Sequence, residues 1–577
     1  MDSALKQVDS TKYNDSNLFY DDLLNTKKKS ELSSIILKSI FVGSKWKDTH
    51  STDFQLVEQT QYYKKFQGKK IRKILIFRSN IVIHNDSLKN PIEKWHVMTR
   101  QYVIRQNLFF KEGQTLKADE MVKNQRYLRS LRFLSDAYII LQPVDKEQVD
   151  VVVYTLDNFS FAPGFSALGG GKFYTFAGES NMLGTGNKFE LGTILNIESP
   201  VYRGFKTEYL YQNIASSFFD LDLFAYKDLS DANYHISSHK PFILPTDIAG
   251  GATFEVRRYS ETQLIGDTTV EIGANRFEVW AGKSLEISQN SGSYFLTSSW
   301  ADTRFPIRYD VSRTFNRNYQ NSQRLLFSTG IYHENFYRGT LIYGFGRTED
   351  IPYGYKIEAV GGHAWEEFGN RWYVGTKLQA ANMTHYGFAN AKIELGSFIN
   401  QDNKQYEQTV LSIENSYFTK LIPAGNWGFR CFFSGKYMRG FNRLDGEGET
   451  LYLNSSTAPR SIREYQLSGL NKLLLSTETV GFSPLYIYNF RFAFYGFADW
   501  AWLGNYSNVF KNDQFTSVGL GVRIKNERLI FQTIQLRIGF AVKNPTNAST
   551  NWLDVSEEAR MRSDRLIPGK ADVVEYR

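Results

Sequence analysis

Two carboxylates and two histidines are the first residues in this sequence whose types and spacing could support chemistry. Glu478 and Asp499 could form a general acid/base pair of the kind that hydrolases use. His235 and His239 are four residues apart, a spacing that binds zinc when a helix places both rings on one face. Here they fall in a predicted loop or strand with no obvious third ligand. The histidines therefore predict no metal site, and the role of the carboxylates depends on their surroundings.

Other catalytic and cofactor motifs fail at specific positions. The Gly-rich stretch that ends at Lys172 lacks the glycine spacing of a phosphate-binding loop and the Ser or Thr that must follow its lysine. The sequence contains neither a G-x-S-x-G nucleophile elbow nor an H-E-x-x-H zinc motif. Cys431 is the single cysteine, which excludes an intrachain disulfide and a thiolate metal cluster. We therefore predict no enzymatic activity, no catalytic residue and no cofactor.

The composition favours a protein built from many strands. Of 577 residues, 15% are aromatic, and Gly is common (43) while Pro is scarce (13). No apolar stretch reaches the length of a membrane-spanning helix, and the mean hydropathy is −0.39. A transmembrane β-barrel combines these properties, although a large soluble β protein shares most of them. The net charge of +8 comes from Lys and Arg scattered through the predicted strands, which argues against a nucleic-acid partner.

The region from residue 160 to 577 alternates in polarity as barrel strands do. In Asn489–Trp502 one face is almost wholly aromatic, while the other carries Arg491 and Asp499. Thr533–Val542 repeats the pattern, with an aliphatic face opposite Gln535 and Arg537. The apolar faces suit lipid and the polar faces a wet lumen. With about 26 residues for each strand and its connection, 418 residues predict roughly 16 antiparallel strands, and Ala571–Arg577 is a possible last strand.

Two units precede the predicted barrel. Residues 1–68 are polar, with a predicted helix from Phe19 to Phe41, and form an N-terminal extension of unknown partner. Residues 69–159 read as β-α-α-β-β, a small α+β domain. The N-terminus carries no apolar segment of the kind found in signal peptides, so we expect a secreted barrel with this sequence to be a mature chain.

Four local segments carry a resemblance that covers about residues 69–577. They are Phe110–Gly113 between the helices of the α+β unit, Glu179–Gly186, Met438–Phe441, and the carboxylates Glu478 and Asp499. In this order they resemble the Omp85 superfamily of outer-membrane barrels (the BamA and TamA-like, surface antigen D15 proteins). The α+β unit resembles a single POTRA domain, and Glu179–Gly186 resembles the hairpin after the first barrel strand of the family. Met438–Phe441 resembles the family's Val/Ile-Arg-Gly-Phe/Tyr loop motif, and Glu478 and Asp499 occupy places where inner-wall carboxylates are expected.

The resemblance implies a fold, a function and three sets of site residues. It implies a 16-stranded transmembrane β-barrel in the outer membrane of a Gram-negative bacterium, preceded by a periplasmic POTRA-like domain. The loop near 438–441 would fold into the lumen, where Arg439 binds carboxylates, holds them ionised and forms a structural lock. The implied residues are a lumen lock of Met438, Arg439, Gly440, Phe441, Glu478 and Asp499, a first-hairpin motif of Asn181, Leu183, Gly184 and Gly186, and a client-binding POTRA edge of Val151, Val153 and Thr155.

The implied function is the assembly or translocation of client proteins. An unfolded outer-membrane or secreted client would add a strand to the POTRA edge and then to the seam between the first and last barrel strands. The other implied partners are outer-membrane lipid and further periplasmic proteins or lipoproteins. The alternative is a passive porin or solute channel, which the strand pattern fits equally well but which needs neither a POTRA-like domain nor an in-folded loop.

Overall fold

The computed structural model describes most of the chain after residue 57. The described residues are 58–79, 97–169, 172–196, 203–244, 247–262, 269–288, 292–344, 349–446, 448–453, 458–487, 490–526, 534–545, 549–550, 553–556 and 564–576. The helix predicted over residues 19–41, and most of the predicted extension 1–68, lie outside this part of the chain. None of the helices in the described residues is long and apolar enough to cross a membrane.

An α+β domain precedes the barrel. Its elements are α1 (Glu58–Lys64), β1 (Lys70–Ser79), α2 (Gln101–Gln106), α3 (Ala118–Ser130), β2 (Leu134–Pro143) and β3 (Gln148–Asp157). The sheet order is β1-β3-β2, with β3 parallel to β1 and antiparallel to β2. Tyr63 of α1 is buried in the same core as Ile104, Met121 and Val153, so α1 packs as part of this domain although the sequence analysis placed it in the extension.

The remaining strands form an antiparallel barrel and one separate small sheet. They are β4 (Phe161–Gly169), β5 (Lys172–Glu179), β6 (Lys188–Asn196), β7 (Arg203–Tyr211), β8 (Asp220–Lys227), β9 (Asp231–Lys240), β10 (Ile248–Thr262), β11 (Thr269–Ser288), β12 (Gly292–Ile307), β13 (Ser322–Gly339), β14 (Glu349–Glu366), β15 (Arg371–Met383), β16 (Gly387–Asn400), β17 (Tyr406–Thr419), β18 (Ile422–Ala424), β19 (Trp427–Phe441), β20 (Leu451–Leu453), β21 (Ile462–Gly469), β22 (Asn471–Ile487), β23 (Phe490–Gly504), β24 (Asp513–Asn526), β25 (Ile534–Lys543), β26 (Ser549–Thr550) and β27 (Leu553–Ser556). Neighbouring barrel strands pair in chain order, and β27 lies beside β4, which closes the sheet. The short strands β20, β21 and β26 form a separate small sheet.

The predicted fold class is confirmed, but the predicted number of strands is wrong. Within the described residues, the barrel sheet holds 20 strands rather than 16 when the three-residue β18 is taken as a continuation of β17. The spacing of about 26 residues was too wide, because β4–β9 are only 8–10 residues long and are joined by short connections.

The predicted alternation decides which face of each strand is exposed. On β25, Ile534, Ile538 and Phe540 are exposed on the outside, whereas Gln535 between them is buried inside. On β23, Phe494 is exposed and Asp499 is fully buried on the inner face. The side-chain period of two therefore places charge inside the barrel and apolar groups outside.

The last described segment lies inside the barrel and is not a strand. Residues 564–576 have no regular secondary structure, and their contacts fall on inner-wall residues such as Glu334, Ser299 and Tyr373. The possible last strand at Ala571–Arg577 is therefore a wrong prediction for its described residues, 571–576. The pattern of polarity in a short segment does not distinguish an edge strand from a segment whose backbone is bound by side chains of the barrel wall.

Candidate functional site

A buried arginine from the long β19–β22 connection binds the two carboxylates singled out in the sequence. The backbone N–H and the Nε of Arg460 each donate to Asp499 Oδ2 at 2.9 Å, and Nη2 donates to Asp499 Oδ1 at 2.9 Å. Its Nη1 donates to Glu478 Oε2 at 2.6 Å. The guanidinium carbon lies 3.9 Å from the ring centroid of Phe497. We call Arg460, Glu478 and Asp499 the lumen lock.

Strand register brings the two carboxylates together. On β22 and β23, Glu478 pairs with Phe497, and Asp499 pairs with Ser476, so both carboxylates point inward as diagonal neighbours. Arg523 on β24 also binds Glu478. All three lock side chains are at most 6% exposed, so their charges depend on one another for compensation. Both carboxylates accept hydrogen bonds from guanidinium groups that fix their positions, which suits a structural lock rather than proton transfer.

The arginine predicted for this lock lies elsewhere. Arg439 is on β19, where Nη2 donates to Ser507 Oγ at 3.1 Å and the guanidinium lies 4.6 Å from the Phe441 ring. Met438 and Gly440 face the other side of the strand, and Met438 is buried among inner-wall residues. Residues 438–441 therefore form the end of a strand instead of an in-folded loop, and Arg460 makes the contact that was predicted for Arg439. The available sequence signal was the long interval between two strand patterns, with Pro459-Arg460 inside it.

The hairpin motif forms a tight turn between the second and third barrel strands, β5 and β6, and not after the first. The Asn181 side chain is buried, accepts from the Gly186 N–H at 2.7 Å and donates to Thr99 Oγ1 at 2.9 Å. Leu183 and Gly184 both have positive φ, 52° and 73°. The motif thus fixes a turn and attaches it to the segment before α2.

Gly184 provides a test of that attachment. A Cβ at Gly184 would lie 2.4 Å from the Met98 carbonyl oxygen, so Gly184→Ala should destabilise the fold by about 1–3 kcal/mol. Gly425→Ala is the matched control, because Gly425 also has positive φ (62°) but nothing lies within 4 Å of its added Cβ. Thermal midpoints from heat-modifiable gel mobility would compare the two. Equal losses would show that only backbone strain, and not the contact with residue 98, matters.

The predicted POTRA edge is not an edge. Val151, Val153 and Thr155 lie on β3, the central strand of the three-stranded sheet, and all are at most 2% exposed. The prediction was wrong because a run of buried strand residues marks a strand with neighbours on both sides.

The edge strands of this sheet are β1 and β2, and side chains of the same domain bind backbone groups of both. On β2, the Tyr62 hydroxyl accepts from Leu141 N–H at 3.0 Å and donates to Leu141 C=O at 3.1 Å. Tyr63 donates to the Ile139 carbonyl at 2.7 Å. On β1, Ile74 N–H donates to Glu112 Oε1 at 2.9 Å. Strand addition at these positions would require those side chains to leave.

The α+β domain spans one opening of the barrel, which we call the near end. Arg129 of α3 makes a bidentate ion pair with Asp350 at the start of β14, with Nη2 at 2.7 Å from both carboxylate oxygens. Arg126 lies 3.7 Å from the Phe336 ring on β13, and burial lowers its pKa to about 10. Six strands, β7–β12, separate β13 from β6, where Asn181 holds the β5–β6 turn to the same domain.

Comparisons with known proteins show weak overall similarity. No protein-family model matches the sequence, and no curated protein matches it. Among solved structures, BamA from Haemophilus ducreyi lacking POTRA domains 1–3 is 10% identical with a TM-score of 0.40, and the match covers 84% of each chain. CdiB from Acinetobacter baumannii is 11% identical (TM-score 0.43, 85% of this chain and 73% of that one). CdiB from Escherichia coli is 10% identical (TM-score 0.41, 85% and 75%).

Proposed function

We propose that this chain is an Omp85-like outer-membrane protein that assembles or exports client proteins in a Gram-negative bacterium, with its α+β domain in the periplasm. The observation that carries the proposal is the lumen lock. A loop arginine bound to carboxylates on two adjacent inner-wall strands is the feature that the family resemblance implies. A pore that only conducts solutes needs no such loop.

The outer surface of the barrel supports a membrane location. Exposed apolar side chains recur on the outward face of strands around the barrel, including Leu191, Ile236, Phe277, Leu378 and Leu520. An apolar band of this kind in a water-soluble protein would promote association. We expect this apolar band to contact lipid, because strand pairing in a closed barrel satisfies the backbone groups that lie in the hydrocarbon region.

The seam between β4 and β27 is the place where a client strand could enter. Among the described residues, the strand beside β4 is Leu553–Ser556, so the seam joins the first and the last strands of the barrel sequence. Since the edges of the α+β sheet are covered, the seam is the better candidate for strand addition. The passive-porin alternative loses support, because residues 564–576 occupy the lumen.

Site-specific photocrosslinking at the seam would test the proposal. Phe161 on β4, at the seam, is 43% exposed. Phe277 on β11 is 41% exposed, but β11 is paired with β10 on one side and with β12 on the other. A photoreactive phenylalanine analogue at position 161 should capture an unfolded eight-stranded outer-membrane protein supplied to proteoliposomes, while the same analogue at 277 should capture several-fold less. Equal capture at both positions would contradict a client route through the seam.

A further inference from the structure

Residues 564–576 follow the inner wall from one end of the barrel to the other. Arg565 binds Glu334 near the end of β13 that faces the α+β domain, with Nη2 to Oε2 at 2.6 Å. At the opposite end, the Tyr576 hydroxyl donates to the Leu470 carbonyl at 3.3 Å. An extended segment from Leu566 to Tyr576 spans about 35 Å, which matches the thickness of a bilayer hydrocarbon core of about 30 Å.

Side chains of the wall bind the backbone of this segment. Leu566 N–H donates to Glu334 Oε1 at 2.8 Å, and Val574 N–H donates to the Tyr373 hydroxyl at 2.7 Å. The Ser299 hydroxyl donates to the Ala571 carbonyl at 2.6 Å. Backbone contacts of this type are available to any extended polypeptide, whatever its sequence.

The wall also provides sites for individual side chains of the segment. Leu566 is fully buried in an apolar cluster with Tyr337, Phe388 and Phe482. Val574 packs among Val410, Met438 and other residues near the far end. The burial of these side chains selects apolar residues at defined intervals.

Two wall glycines leave the space that the segment fills. A Cβ at Gly440 would lie 2.5 Å from the Tyr576 hydroxyl. A Cβ at Gly396 would lie 2.2 Å from the Tyr373 hydroxyl and 3.0 Å from a Val574 methyl. Gly440, which the sequence analysis assigned to the lumen lock, therefore contributes to this groove instead.

Charge complementarity adds to the fit at the middle of the lumen. Lys570 of the segment binds Glu278 on β11, which is 9% exposed at its side chain. With Arg565 on Glu334, two cations of the segment meet two wall carboxylates. The groove thus matches a segment that carries cations at the positions of Arg565 and Lys570, with apolar residues at the buried positions between and after them.

We propose that the inner wall of the barrel is a binding groove for extended polypeptides, and that residues 564–576 are its resident ligand. The groove takes an extended segment with apolar residues at the positions of Leu566, Ala571, Val574 and Tyr576 and a cation at that of Lys570. An incoming polypeptide of this class displaces the resident segment. The inference rests on the proposed function, since it takes the client to be a polypeptide, and it adds the conformation and residue pattern that the lumen binds.

A peptide-binding experiment tests the groove directly. In Leu566→Asp/Val574→Asp, buried carboxylates should drive the resident segment out while the wall stays intact. A fluorescent synthetic peptide of residues 564–576 should then bind the detergent-solubilised variant about 100-fold more tightly than the unaltered protein, in which the tethered segment competes at an effective millimolar concentration. Glu575→Gln, at an exposed position of the segment, is the control and should bind the peptide as weakly as the unaltered protein.

Wall variants and a scrambled peptide separate a groove from nonspecific adsorption. Adding Ser299→Ala and Tyr373→Phe to the displaced variant removes two backbone contacts and should weaken peptide binding about 10-fold. Equal affinity for the scrambled peptide, or no effect of the wall changes, would overturn the proposal.

Hydrogen exchange on the unaltered protein keeps the test decisive if the displaced variant does not fold. The amides of Leu566 and Val574 should exchange far more slowly than in the free peptide, and exchange as fast as the free peptide would overturn the groove. Peptide binding without any client capture at position 161 would remove the proposed function and leave the groove. Client capture without peptide binding would overturn the groove and leave the proposed function.

Discussion

Replacing Arg460 with alanine is expected to lower the free energy of unfolding of the barrel by about 3–5 kcal/mol. The change removes both guanidinium hydrogen bonds to the fully buried Asp499 and leaves it only the backbone N–H of residue 460 from this partner. It also removes one of the two arginines that bind Glu478. An uncompensated buried carboxylate costs much more than an exposed one, because no water replaces the lost partner. The loss should appear as a fall in the temperature at which heat-modifiable gel mobility disappears.

Arg439→Ala is the control for that experiment. Arg439 is half-buried on β19 and contacts Ser507 and Phe441, so its removal should cost about 0.5–1 kcal/mol. Arg460→Lys should recover only part of the loss, because an ammonium group cannot make the forked contact to Asp499. If Arg439→Ala were as damaging as Arg460→Ala, the assignment of the lock to Arg460 would be wrong.

Replacing Arg129 with alanine should detach the α+β domain from the near end of the barrel. The Arg129 side chain is 6% exposed and that of Asp350 is 15% exposed, so removal of one partner leaves a largely buried charge. We expect a loss of about 3 kcal/mol in docking free energy, equivalent to roughly a 100-fold rise in the undocked population. Hydrogen exchange at α3 and at the first residues of β14 would report this change.

Lys117→Ala, at the N-cap of α3, is the control. Lys117 binds Glu120 at 2.8 Å, but its side chain is 64% exposed, and such surface pairs contribute about 0–1 kcal/mol. The exchanged pair Arg129→Asp with Asp350→Arg should restore part of the protection. In the β7–β8 connection, the Asn213 side chain donates to the Gln106 carbonyl at 3.0 Å. Unchanged exchange in Arg129→Ala would show that this contact and that of Asn181 hold the domain by themselves.

Much of the α+β domain and of the hairpin could be predicted from local sequence. The predicted order β-α-α-β-β over residues 69–159 is present as β1, α2, α3, β2 and β3. Asn181, Gly184 and Gly186 act within a few residues of one another, so their spacing is sufficient to define the turn. The position of that turn in the barrel was wrong by one strand, because a short strand of nine residues precedes β5.

The site depended on contacts that local patterns do not record. The carboxylates Glu478 and Asp499 could be found because alternation places them on the inner face. The arginine that binds them could not be identified from sequence, because Arg439 and Arg460 are both candidates. The choice between them depends on where β19 ends. The covered edges of the α+β sheet likewise depend on contacts of Tyr62 and Tyr63 with β2, more than 70 residues away.

The sequence by itself determined strands that carry charged groups on one face and apolar groups on the other, since strand alternation is a property of each residue and its neighbours two positions away. The tertiary structure decided the number of strands, the arginine of the lumen lock, the central position of β3 and the place of residues 564–576 inside the lumen. These features arise from pairings between distant parts of the chain, where the free energy of the whole fold selects one partner among several that are locally equivalent.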